Sequence, residues 1–185
     1  MTHEVVLIAL PAQAASQVTI QGSAFSPTPI TVAQGGSVQW QNAETTNLSH
    51  TATGDVGLWS TPTLAPAMTS AAIVFKAAGV YAYHCKIHPS MRGKVRVPIK
   101  VSPASGGTGT VFTITLATGS RALWSFDVQV KAGAGLWKIW KTGVTSLSVR
   151  FHHASPGTWT FRSRLHRNGS TLRTGWSPSK VITIS

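Results

Sequence analysis

The lone cysteine of this 185-residue chain lies in Tyr83-His84-Cys85-Lys86-Ile87-His88-Pro89-Ser90-Met91-Arg92-Gly93-Lys94-Val95. A histidine follows it by three residues and a methionine by three more. Thiolate, imidazole and thioether in one tight turn form a soft nitrogen-and-sulfur donor set. One further histidine would complete a His₂Cys site with a weak axial Met, the set that suits copper passing between its two oxidation states. His50, in Asn47-Leu48-Ser49-His50-Thr51-Ala52-Thr53, is the natural source of it. A lone cysteine is more often a small buried hydrophobe than a ligand, and here the spacing of its neighbours reverses that preference. The expected chemistry is therefore one copper ion held by His50, Cys85, His88 and Met91.

These residues need a frame. Two residues between successive donors let Cys85, His88 and Met91 converge from one turn, whereas His50 has to arrive from a separate, rigid strand. The surrounding pattern supplies strands. Val18–Gln21, Ile30–Val32, Ser37–Asn42, His50–Thr53, Ile73–Phe75 and Val80–Cys85 are short, turn-bounded and alternating. Lys94–Val101 alternates basic and apolar residues as a half-buried closing strand. Val38 and Trp40 share one face, and Trp40 reads as core. No helix-period pattern is present, so the fold class expected is all-β.

Ser102-Pro103-Ala104-Ser105-Gly106-Gly107-Thr108-Gly109 has the composition of a flexible linker. Six further strand-like runs follow within residues 110–185 and read as a second, compact β-sandwich. The domain reading is thus residues 17–102 around the metal motif, a linker at 103–109, and a second sandwich at 110–185. Residues 1–16 read as the remnant of an export signal: an apolar run ends in Ala12-Gln13-Ala14, a cleavage-like pattern, although no basic residue precedes it. Export to the periplasm, cell surface or extracellular space is expected from it. No run reaches the ~18 apolar residues of a membrane span.

Sixteen basic residues face four acidic ones, and the net charge is +12. Residues 103–185 hold ten of the bases and one acid, Asp127. Such a field favours anionic partners, an anionic cell-surface polymer among them. No nucleic-acid module is recognisable, so no specific nucleic-acid partner is expected. Ser-His-Asp catalysis has no support, because no nucleophile motif accompanies Asp127.

The stretch from Gln34 to Val101 resembles the cupredoxin family, and its Tyr-His-Cys-x-x-His-Pro-x-Met-Arg-Gly-Lys-Val run is most similar to the amicyanins, with plastocyanin-like proteins further off. The resemblance implies a Greek-key barrel of eight strands, one type 1 copper and one-electron transfer between redox partners, without enzymatic turnover. It implies Cys85 as thiolate ligand, His50 and His88 as imidazole ligands and Met91 as axial thioether. Partners would dock near His88, with Pro89, Met91 and Leu58 or Trp59 forming an apolar rim. One departure stands out: these families carry Asn after the first ligand histidine, where this chain has Thr51, and Asn47 is the nearest substitute for its bracing role. Strand alternation turns His84 away from the metal, and Met68 reads as core. The runs Gly157–Arg164, Gly175–Pro178 and Val181–Ile184 resemble the last strands of fibronectin type III or immunoglobulin-like domains, with Trp159 at the usual tyrosine position. Two rival functions share these features: copper storage or delivery, and adhesion or scaffolding on a structural cupredoxin fold.

Overall fold

The computed structural model describes residues 14–185, which contain strands and no helix. The expected export signal lies almost entirely outside the described residues, and its boundary at residue 16 falls on the first residue of β1.

Eight strands build the first half: β1 (Ser16–Gln21), β2 (Ala24–Ser26), β3 (Ile30–Thr31), β4 (Gly36–Asn42), β5 (Thr53–Gly54), β6 (Ile73–Phe75), β7 (Gly79–His84) and β8 (Arg92–Val97). They form two four-stranded sheets, ordered β2-β1-β4-β6 and β3-β8-β7-β5. Alternation decides what each face does. Along β4, Val38, Trp40 and Asn42 turn inward; along β7, Tyr81 and Tyr83 do so and His84 turns out. On β8 the basic Arg92, Lys94 and Arg96 face solvent while Gly93, Val95 and Val97 are buried. The sheets close on each other through aromatic contacts, with Tyr83 edge-on to Phe25 at 4.8 Å and to Trp40 at 5.5 Å between centroids. Gly93, opposite Tyr83, is required by this core. A Cβ there would lie 2.2 Å from the tyrosine ring.

The second half contributes β9 (Lys100–Ser102), β10 (Ser105–Gly106), β11 (Phe112–Thr115), β12 (Trp124–Ala132), β13 (Lys138–Val144), β14 (Ser148–Phe151), β15 (Gly157–Arg167) and β16 (Lys180–Ile184). Sheets β14-β11-β9 and β10-β16-β15-β12-β13 face each other across Phe151 and Phe161, 4.9 Å apart. The single closing strand expected over residues 94–101 is divided. Pro98 has no N–H to give a ladder; before it β8 belongs to the first sandwich, and after it β9 pairs with β11 of the second. The stretch read as a linker carries β10, which runs parallel to β16.

The two sandwiches are hydrogen-bonded to each other. Val80 and Gly175 exchange reciprocal backbone bonds of 2.9 Å, which covers the half of β7 that β5 leaves free. Ala78 N–H donates to Leu116 O at 2.8 Å, and the buried Gln34 amide donates to Pro98 O and Thr115 O.

Candidate metal centre

Asn42, the last residue of β4, is fully buried, and its amide donates to Leu48 O and Leu64 O, each at 2.8 Å. These carbonyls flank His50, whose own backbone exchanges bonds with Leu64. Residues 50–53 thus form no continuous strand: an isolated bridge at His50 precedes the two-residue β5. The histidine is held all the same, and it is fully buried.

Its ring is oriented by a carboxylate. His50 Nε2 lies 3.1 Å from Glu44 Oε1, and the Glu44 side chain is 7% exposed. Ser23 N–H donates to the same carboxylate at 2.8 Å and Gly22 N–H at 3.1 Å. These backbone donors, Ser23 foremost, hold the Glu44 carboxyl below the ordinary carboxylate range against the opposing effect of desolvation, and the His50 imidazole adds to the lowering. A carboxylate at Nε2 keeps the imidazole proton on that nitrogen, so Nδ1 presents a bare lone pair.

That lone pair meets the loop after β7. Cys85 is fully buried and Met91 is 5% exposed, while His88 is half-buried. The loop closes on itself: Met91 N–H donates to His88 O at 2.9 Å, and Cys85 N–H to Met91 O at 3.1 Å. Thr51 binds the loop to the His50 segment. Its N–H points at Cys85 Sγ at 3.3 Å, and its hydroxyl accepts from Lys86 N–H at 2.8 Å. The threonine thereby performs the bracing expected of asparagine, and Asn47, an exposed residue, is not the substitute.

Three donor atoms converge: Nδ1 of His50, Nδ1 of His88 and Sγ of Cys85. The two nitrogens are 3.1 Å apart, and each lies 3.8–3.9 Å from the sulfur. The nearest point equidistant from all three is about 2.1 Å from each, within the 2.0–2.3 Å that imidazole nitrogen and thiolate sulfur keep from a transition metal. One thiolate and two imidazoles are the donor types that suit copper. Met91 is buried, and its backbone is tied to both Cys85 and His88.

Other expectations resolve differently. Leu58 and Trp59 line a cavity between the sandwiches instead of rimming His88, and Trp59 stacks on the buried Trp40 at 4.8 Å. The exposed apolar residues beside His88 are Ile87 and Pro89. Met68, read as core, is 48% exposed. His84 turns outward as expected and meets Asp55 Oδ1 at 2.6 Å. Glu44 and Asn42 were not singled out from sequence. The available cue was an acid, in a chain with only four, six residues before the candidate histidine.

No protein-family model and no curated protein matches the chain. Several solved structures do. A reduced Cu(I) form of an amicyanin variant at pH 4 is 30% identical over 46% of this chain and 84% of its own, with a TM-score of 0.41. An oxidized amicyanin variant is 29% identical over the same shares, with a TM-score of 0.40. A copper-containing nitrite reductase from Thermus scotoductus SA-01 is 30% identical over 49% of this chain but 24% of its own, with a TM-score of 0.42. Each of these three structures is similar to about half of this chain.

Proposed function

We propose that the chain is a type 1 copper protein that carries single electrons between redox partners outside the cytoplasm. The observation that carries this reading is the convergence of His50 Nδ1, Cys85 Sγ and His88 Nδ1, a buried N₂S donor set spaced so that one ion could lie about 2.1 Å from all three. His50, Cys85 and His88 would hold the ion, with Met91 as the proposed fourth donor. Bound copper supplies one-electron exchange between its two oxidation states. The chain's residues keep that exchange from requiring rearrangement: Asn42 and Glu44 fix His50, Thr51 fixes the cysteine loop, and the buried sulfur is screened from water. His88 is the donor nearest solvent, and exposed Ile87 and Pro89 beside it suit the docking of a partner. The second sandwich, with a three-stranded sheet facing a sheet ordered β10-β16-β15-β12-β13, is read as an immunoglobulin-like attachment module whose basic face suits an anionic cell-surface polymer.

The test is to add one equivalent of Cu(II) to the purified chain and record its visible spectrum beside Cys85→Ser. An intense thiolate-to-copper band, absent in the variant, with reversible voltammetry is the expected result. A blue protein that exchanges electrons slowly and loses its metal readily would favour storage or delivery. A colourless one would leave the scaffold reading.

A further inference from the structure

Away from the metal centre, the two sandwiches enclose a cavity of about 240 Å³ that no part of the electron-transfer reading uses. The first sandwich supplies Trp59, Phe75 and Tyr81 to its wall, and the second supplies Trp124, Phe126 and Leu165. Its rim is of another kind. Lys76 and Arg121 stand there with Ser120 and Thr145. Among the described residues neither cation has a carboxylate within ion-pair distance. Arg121 is held in place by a 3.1 Å bond to Leu58 O. Asp55, which borders an adjoining groove with Arg121, is taken up by His84 at 2.6 Å. The site therefore joins an aromatic interior to an uncompensated positive rim that also carries two hydroxyls.

We propose that this cavity binds a small planar aromatic carboxylate, ring inward and carboxylate at Lys76 and Arg121. Aromatic rings on both sides, Trp59, Phe75 and Tyr81 facing Trp124 and Phe126 across the cavity, favour an aromatic body over a branched aliphatic one. Two cations without acidic partners favour an anion over a neutral molecule of the same shape. The volume sets the size at one or two rings, the small end of ligand pockets. Both sandwiches are needed, because each contributes one wall. Trp59 stacks on Trp40 at 4.8 Å and lies 5.5 Å from Tyr83, two residues before Cys85, so an occupant abuts the aromatic layer beneath the metal loop.

The probe is 2-naphthoate, titrated into the full chain and followed by calorimetry and by the indole N–H resonances of the seven tryptophans. Saturable one-to-one binding is expected, with shifts at Trp59 and Trp124 and none at Trp137 or Trp176, which stack against Arg162 on the opposite face of the five-stranded sheet. Lys76→Glu, an exposed change, is expected to weaken binding by about tenfold or more, and Thr145→Trp at the rim to abolish it. The neutral alcohol 2-naphthalenemethanol should bind more weakly and be indifferent to Lys76→Glu. Unsaturable binding, shifts centred on Trp137 and Trp176, or equal affinity of acid and alcohol would overturn the proposal. Because these readouts need no copper, their failure is separate from failure of the copper reading.

Discussion

At the scale of single residues, the chemistry of the site depends on groups that touch the donors without being donors. Glu44 is the clearest. Its carboxylate receives Ser23 and Gly22 N–H groups and fixes the His50 proton on Nε2. Glu44→Gln keeps the shape but removes the charge, and copper affinity measured by chelator competition should fall about ten- to a hundredfold. The two tyrosines make a second prediction. Burial pushes Tyr83 up to about 12 and Tyr81 higher still, and the Tyr81 hydroxyl donates to Ala77 O at 2.6 Å. The folded chain therefore keeps protons that the unfolded chain gives up above pH ~10. Their contribution to stability is complete below that pH and is lost as pH rises toward the folded values. Since these are the chain's only tyrosines, ultraviolet titration should show no tyrosinate until unfolding begins, and Tyr81→Phe should flatten the alkaline loss of stability. A tyrosinate signal from native protein at pH 10 would contradict this. The three donors that converge were legible in the sequence, because Cys85 and His88 lie in one short turn and His50 stands at the head of a strand-like run. Glu44 and Asn42 were not, because their roles depend on which carbonyls and rings the fold brings to them.

At the scale of elements, β7 and β8 deliver the metal loop. Their pairing of Tyr83 with Gly93 sets both the register and the room for the aromatic core. Gly93→Ala would drive a methyl into the Tyr83 ring, and chemical denaturation should show a loss of about 2–3 kcal/mol, with the copper band shifted or weakened because the displaced strand carries the loop. Strand identity was readable along β4, β7, β11 and β12 because alternation is a local property. Two features were not. Residues 94–101 keep their apolar alternation through Pro98, so the pattern marks a break there but not that the two parts join different sheets. Residues 50–53 look like a strand, yet His50 is secured by an isolated bridge and by Asn42 from β4.

At the scale of the whole molecule, the two sandwiches share one continuous buried cluster and reciprocal backbone bonds between Val80 and Gly175. Calorimetry should accordingly record a single cooperative unfolding transition. Two separated transitions would mean that the junction contributes little to stability. Placing Gly175 against β7 requires a small residue there, since a Cβ on Gly79 would lie 2.8 Å from the Thr174 hydroxyl. The same junction creates the cavity and turns Leu58 and Trp59 into it, away from His88.

By itself the sequence determined the all-β class, the donor types and their spacing, since periodicity and a compact ligand turn are written in neighbouring residues. The tertiary structure decided the rest. It brought Nδ1 of His50 to within 3.1 Å of His88 across 38 residues. It gave Thr51 the bracing bond and made Glu44 a partner of the imidazole. It also turned a segment composed like a linker into β10 of a shared sheet. Each of these depends on contacts between distant parts of the chain, which only the closed fold can specify.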